Sequence, residues 1–216
     1  MSKEIYVALL DSGCRFKTYE KFSIKANKKG ICKISEIEDI KFEHGNIIGE
    51  IINDTNIHIY DIQVFNEQLS TSPIEVYYAL NYLLDKKVDV INMSLGFKEN
   101  YKEIKEVCEK LIKKGVTIVC SYPRKSSISI YPASYEDVIK VTSEGMCKDD
   151  KVVALYPNKL FFGANPFSKN KEVAGSSVAV AKFTKEYCKY LKKGYSKEEI
   201  LEEFSKRRVH EPIKHT

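Results

Sequence analysis

The segment EIYVALLDSG, residues 4–13, begins with a run of apolar side chains and ends in Asp-Ser-Gly. Because the run is continuous rather than alternating, it is typical of a strand that is covered on both faces. Four later runs share this character, and together they predict strands at 4–10, 58–65, 88–95, 115–121 and 137–143. Segments with helical periodicity lie between them and predict helices at 44–54, 73–87 and 101–114. The alternation predicts an α/β fold, a three-layer sandwich with a mainly parallel sheet.

The pattern changes beyond residue 143. The stretch KVVALYPNKLFFG, residues 151–163, predicts a hairpin, because its Pro-Asn pair is a typical turn signal. A helix from about 177 to 192 follows. The chain carries no internal repeat and no low-complexity linker. We therefore predict a single domain over residues 1–216, with a core at about 4–205 and a flexible tail at 206–216.

The composition excludes several classes of protein. Hydrophobic residues make up 43% and charged residues 30% of the chain, which is typical of an ordered globular protein in water. No apolar run approaches the roughly 20 residues that a membrane-spanning helix needs. The apolar run near the amino end is also too short for the core of a signal peptide. We expect neither membrane insertion nor secretion.

The charge and the cysteines indicate which binding partners and which cellular compartment to expect. The net charge of +5 comes mostly from lysines on predicted helix faces, and no nucleic-acid-binding motif accompanies them, so we expect no nucleic acid partner. The six cysteines form no CxxC pair and no metal-ligand spacing. We expect reduced thiols in a cytoplasmic protein, and neither a metal site nor a cofactor. The cysteines lie at positions 14, 32, 108, 120, 147 and 188.

Three candidate residues follow predicted strands or open predicted helices, where functional groups collect in α/β sheets. Asp11 ends the first strand, His44 opens a helix, and Ser177 follows Gly175-Ser176 before another helix. Each also fits a structural explanation: an aspartate that begins a turn, a structural histidine, and a serine at a helix start. Gly45 and Gly49, on one helix face, predict the close approach of another part of the backbone.

Taken together, these residues carry a family resemblance. They occur in the order Asp, His, Ser, which is the order of the catalytic triad in subtilisin. The blocks DSG, HGNIIG, VDVINMSLG and GSSVA resemble the four signature blocks of the subtilisin-like serine proteases, in the same order over residues 4–205. The resemblance implies that family's fold and a serine endopeptidase activity. It assigns Ser177 as nucleophile, His44 as its base and Asp11 as the carboxylate that orients the imidazole, with Ser176 in place of the family threonine.

The same resemblance implies a peptide or protein substrate in extended conformation. By analogy, Ser94, Leu95 and Gly96 form the backbone strip on which the substrate pairs as an added strand.

The family carries an asparagine that completes the oxyanion hole, and this chain has Arg124 at that position. Loss of this donor in subtilisin costs about 10²–10³ in turnover. The segment from Ser121 to residue 125 would line the pocket for the substrate side chain that precedes the scissile bond.

These features leave two hypotheses open and exclude a third. The first is a selective intracellular or precursor-processing protease, slow or dependent on an activating partner because the oxyanion asparagine is absent. The second is a catalytically impaired relative that acts as a peptide-binding or scaffold module. A nucleotide-binding or flavodoxin-like protein would need a glycine-rich phosphate loop after the first strand, and DSGCRF is not one. Because the chain begins almost at its first strand, we also expect no inhibitory prodomain.

Overall fold

Strands and helices alternate along the computed structural model, which describes residues 3–27, 29, 32–35 (backbone only), 39–124, 127–147, 151–169 and 173–207. Its strands are β1 (Ile5–Asp11), β2 (Glu20–Ala26), β3 (Cys32–Ser35), β4 (Ile57–Gln63), β5 (Val90–Met93), β6 (Thr117–Ser121), β7 (Ile139–Ser143), β8 (Val152–Tyr156) and β9 (Phe161–Ala164). Its helices are α1 (Glu43–Ile52), α2 (Pro73–Leu83), α3 (Lys102–Lys113), α4 (Ser176–Lys192) and α5 (Lys197–Ser205), with a short 3₁₀ helix at Pro157–Lys159.

The described strands form one sheet in the order β3-β2-β4-β1-β5-β6-β7-β9-β8. Every neighbouring pair is parallel except β2–β3 and β8–β9, which are antiparallel pairs at the two edges. The prediction of a mainly parallel sheet is confirmed. Its five predicted strands are β4, β1, β5, β6 and β7, which lie side by side in the middle of the sheet.

The edge pair β2 and β3 was not predicted from the sequence. Only the middle of β2 is buried, and polar side chains such as Glu20 and Lys25 occupy its ends. A strand near a sheet edge has fewer neighbours to cover it, so its sequence lacks the continuous apolar run that marked the central strands. The hairpin predicted over 151–163 is confirmed as β8 and β9.

Helices cover both faces of the sheet, which makes the predicted three layers. Alternate side chains of β1 belong to the two cores. Val7 and Leu9 pack on the side of α1, α4 and α5, whereas Ala8 and Leu10 pack on the side of α2 and α3.

The helices begin and end at local sequence signals. Ser72 and Glu75 form a capping box at the start of α2, and Gly115, with φ +87°, follows the end of α3.

No described helix is long and apolar enough to cross a membrane. The described residues contain no cluster of three His, Cys, Asp or Glu side chains that could hold a metal ion. The backbone N–H of Ala154 donates to the carbonyl of Arg207 at 2.7 Å, which attaches the chain two residues beyond α5 to β8. The predicted tail beyond Arg207 lies outside the described residues.

Candidate active site

Asp11 is the last residue of β1 and lies at the carboxyl edge of the sheet between β4 and β5. Its side chain is fully buried. Oδ1 accepts the backbone N–H of Ser12 at 2.8 Å and lies 2.7 Å from Nδ1 of His44. Among the described residues Oδ2 has no hydrogen-bond partner. A buried carboxylate with this geometry fixes the tautomer of the imidazole and stabilises its protonated form.

His44 is the second residue of α1, and about a quarter of its side chain is exposed. Because Nδ1 is engaged by Asp11, Nε2 is the nitrogen left for a reacting partner. Burial lowers the pKa of His44, but the hydrogen bond and the charge of Asp11 outweigh burial, so the pKa is raised above 6.5. The structure therefore joins two of the three predicted catalytic residues and makes the imidazole a stronger base.

Gly45 explains how α1 approaches the end of β1 so closely. A Cβ atom at this position would lie 2.7 Å from the backbone nitrogen of Gly13 and 2.8 Å from its carbonyl oxygen. The backbone N–H of Gly45 donates to Oγ of Ser12 at 2.9 Å. The predicted close backbone approach at Gly45 is confirmed, and it brings His44 within reach of Asp11.

Ser177 is the second residue of α4, directly after Gly175 and Ser176. Gly175 has φ +107°, a conformation that favours glycine, and it turns the chain into the helix. Oγ of Ser176 donates to the carbonyl of Tyr122 at 3.2 Å, whereas Ser177 is half-buried at a helix start. α4 packs against α1. In the described part of the chain no hydrogen bond joins Ser177 to His44, so the structure does not bring the predicted triad into one hydrogen-bonded chain.

The predicted substrate strip follows β5 at the same edge of the sheet. The Leu95 side chain is buried in the core, while Gly96 is exposed and close to Ile130. Oγ of Ser94 is buried and has no partner among the described residues. The next residue, Phe97, exchanges backbone hydrogen bonds of 2.7 and 2.8 Å with Tyr131, which fixes the outer end of the strip.

A model of the subtilase family matches residues 2–214 of the chain. The chain belongs to the subtilase family. This subtilase is 26% identical over 208 residues to the major intracellular serine protease of Bacillus subtilis (strain 168), covering 82% of this chain and 65% of that protein. It is 26% identical over 133 residues to an intracellular serine protease of Paenibacillus polymyxa, covering 55% of this chain and 40% of that protein. The chain thus spans less than two thirds of either relative.

Solved structures show the same fold. The subtilase matches sphericase with a TM-score of 0.69 and 15% identity, over 95% of this chain and 83% of that one. It matches the S41 psychrophilic protease with a TM-score of 0.67 and 15% identity, over 93% of this chain and 82% of that one. The subtilisin-like fold that the sequence blocks implied is confirmed.

Two buried acidic residues of this subtilase were not among the predicted site residues. Glu144 follows β7, is almost fully buried, and pairs its Oε2 with Nη2 of Arg124 at 3.3 Å. This pairing compensates the charge of Arg124, whose side chain is 54% exposed. Asp61 lies within β4 and is fully buried. Both could have been found from one signal, an acid inside or directly after an apolar strand. Ser121 ends β6 beside this region, and residue 125 lies outside the described residues.

Proposed function

We propose that this chain is a serine endopeptidase that uses Asp11, His44 and Ser177 as a catalytic triad. The observation that carries the proposal is the 2.7 Å contact between Nδ1 of His44 and the buried carboxylate of Asp11. The family match and the placement of Ser177 at the start of α4 support it. A pure binding module would not need a buried carboxylate that raises the basicity of an imidazole.

In this proposal Nε2 of His44 takes the proton of Ser177 as Oγ attacks the peptide carbonyl carbon. The carbonyl oxygen becomes an oxyanion, and Asp11 stabilises the imidazolium. The imidazolium then returns the proton to the leaving amine, the carbon–nitrogen bond breaks, and an acyl-enzyme remains. Water, deprotonated by His44, attacks the ester and releases the second product and the free Ser177 hydroxyl.

The oxyanion is stabilised mainly from the helix side of the site. The backbone N–H of Ser177 lies in the first turn of α4, where free N–H groups and the helix dipole favour negative charge. Arg124 stands where the family has its asparagine, but its guanidinium is exposed and held by Glu144. We therefore propose a slower enzyme than relatives with the full donor set.

The proposed substrate is an extended peptide that pairs with the backbone of Ser94, Leu95 and Gly96. Gly96 is exposed after β5, which leaves its backbone open to such pairing. Two relatives are named intracellular serine proteases, which supports a cytoplasmic enzyme. A selective role, such as processing a precursor peptide, fits an active site with a reduced set of oxyanion donors.

The test is labelling with a fluorophosphonate, which reacts with activated serines and needs no knowledge of the substrate. We expect the label on Ser177, abolished by Ser177→Ala and strongly reduced by His44→Ala. Ser176→Ala is the matched control, because Oγ of Ser176 is already engaged by the Tyr122 carbonyl. Labelling of Ser176, or no labelling of a folded wild-type protein, would contradict the proposal, and the second result would favour a peptide-binding module.

A further inference from the structure

Asp61 is a fully buried carboxylate in β4, on the face of the sheet that packs against α1. In the register of the sheet it lies opposite Leu9 of β1 and Lys21 of β2. Ile59, two residues before it on the same face, belongs to the apolar core. A carboxylate among such neighbours is costly to bury unless specific partners hold it.

The partners of Asp61 and Lys21 lie on one stretch of backbone, residues Ser12 to Phe16, which we call the connecting segment. Oδ2 of Asp61 accepts the backbone N–H of Cys14 at 2.8 Å. Nζ of Lys21 donates to the carbonyl of Cys14 at 2.8 Å and to that of Phe16 at 3.1 Å. The two opposed side chains thus hold both backbone polar groups of Cys14. Oδ1 of Asp61 has no nitrogen or oxygen partner in the described chain.

The other side of the connecting segment is bound to α1. Oγ of Ser12 accepts the N–H of Gly45 at 2.9 Å, and the N–H of Arg15 donates to Oδ1 of Asn46 at 2.9 Å. A Cβ atom at Gly49 would lie only 2.5 Å from Sγ of Cys14. The connecting segment therefore begins directly after Asp11. It is hydrogen-bonded to Asp61 and Lys21 on one side and to the first turn of α1, the helix that contains His44, on the other.

We propose that Asp61 and Lys21 are positioning residues that hold the connecting segment against α1 and so set the alignment of Asp11 with His44. The proposal rests on the proposed catalytic role of these two residues. Asp61 acts through the hydrogen bond that it accepts, so a side chain that keeps an acceptor oxygen at this place preserves the alignment. A side chain without one leaves the buried N–H of Cys14 unpaired and lets the segment move.

The experiment compares Asp61→Ala, which removes the acceptor, with Asp61→Asn, which keeps it. Ile59→Ala is the matched control, because it also truncates a buried side chain of β4 on the same face, but the aliphatic side chain of Ile59 makes no hydrogen bond to the connecting segment. Two quantities are measured on each folded variant: the rate of labelling by a fluorophosphonate, and the pKa of His44 by NMR titration of its ring protons.

We expect Asp61→Ala to label about 10-fold or more slowly, because small misplacements of catalytic groups can cost about 10²-fold. The pKa of His44 should fall toward 6.5 as the contact with Asp11 loosens. Asp61→Asn and Ile59→Ala should stay near wild type in both measurements. Equal effects of Asp61→Ala and Ile59→Ala would overturn the proposal, as would a failure of Asp61→Asn to preserve the alignment.

The two measurements also separate this proposal from the proposed function. If the wild-type protein does not label, the proposed protease activity fails, but the pKa of His44 still reports its alignment with Asp11. If Asp61→Ala does not fold, Lys21→Met removes the two carbonyl contacts from the other side, and the same fall in the pKa of His44 is expected. An unchanged pKa of His44 in the folded variant would reject the positioning role.

Discussion

The burial of Asp61 predicts an unusual dependence of stability on pH. Burial raises the pKa of Asp61 from 3.8 to about 6, and the nearby charge of Asp11 adds to this. The N–H and thiol of Cys14 and the charge of Lys21 act in the opposite direction but do not prevail. Because the native state binds this proton more tightly than the unfolded chain, its contribution to stability is complete below about pH 3.8 and is lost as the pH rises through 6.

The size of the effect follows from the two pKa values. A pKa of about 6 in place of 3.8 corresponds to about 3 kcal/mol of unfolding free energy, at about 1.4 kcal/mol for each pH unit. Asp61→Asn removes the titration and keeps an acceptor oxygen for Cys14. We therefore expect the variant to gain about 3 kcal/mol relative to wild type as the pH rises from about 3 to about 8. For a chain of this size that is roughly 6–12 °C in Tm.

The assay is urea unfolding of both proteins at a series of pH values, followed by circular dichroism. Comparing the change with pH cancels any constant cost of the new amide group, and titrations elsewhere cancel because both proteins share them. Asp54→Asn is a control of opposite sign, because its hydrogen bond with Lys192 lowers the pKa of Asp54. Parallel pH profiles for wild type and Asp61→Asn would show that the folded protein does not raise the pKa of Asp61.

Three further predictions concern the site and the thiols. Gly45→Ala should slow fluorophosphonate labelling about 10-fold or more, because the added Cβ would force α1 away from Gly13 and a misplaced catalytic base lowers the rate by this much. Labelling at the wild-type rate would show that the helix adjusts freely. The double variant Arg124→Asn with Glu144→Gln should raise the labelling rate, because it restores an amide donor; the second change avoids leaving a buried carboxylate unpaired. A lower labelling rate would show that Arg124 itself stabilises the oxyanion. Thiol titration should return six groups after denaturation and few before it, because the five cysteines with described side chains are unpaired and buried; a shortfall after denaturation would indicate a disulfide.

The central strands of the fold and the residues of the candidate site could be predicted from the sequence. Continuous apolar runs marked the five central strands, because a strand buried on both faces has no polar side to alternate with. Asp11 and His44 stood at the ends of predicted elements, and the topology of a parallel sheet brings such ends to one edge. The role of Ser177 as the third member remains a prediction from the sequence blocks.

The side chains that support the site could be identified only from the folded structure. Asp61 and Cys14 are 47 positions apart, and Arg124 and Glu144 meet across the ends of different strands. The strand β2, which carries Lys21, was not predicted at all, so its register opposite Asp61 could not be foreseen. Periodicity in a sequence reports which face of an element is buried, but a contact between two buried polar groups depends on strand order and register. These are fixed only when the whole sheet assembles and every buried donor must find an acceptor.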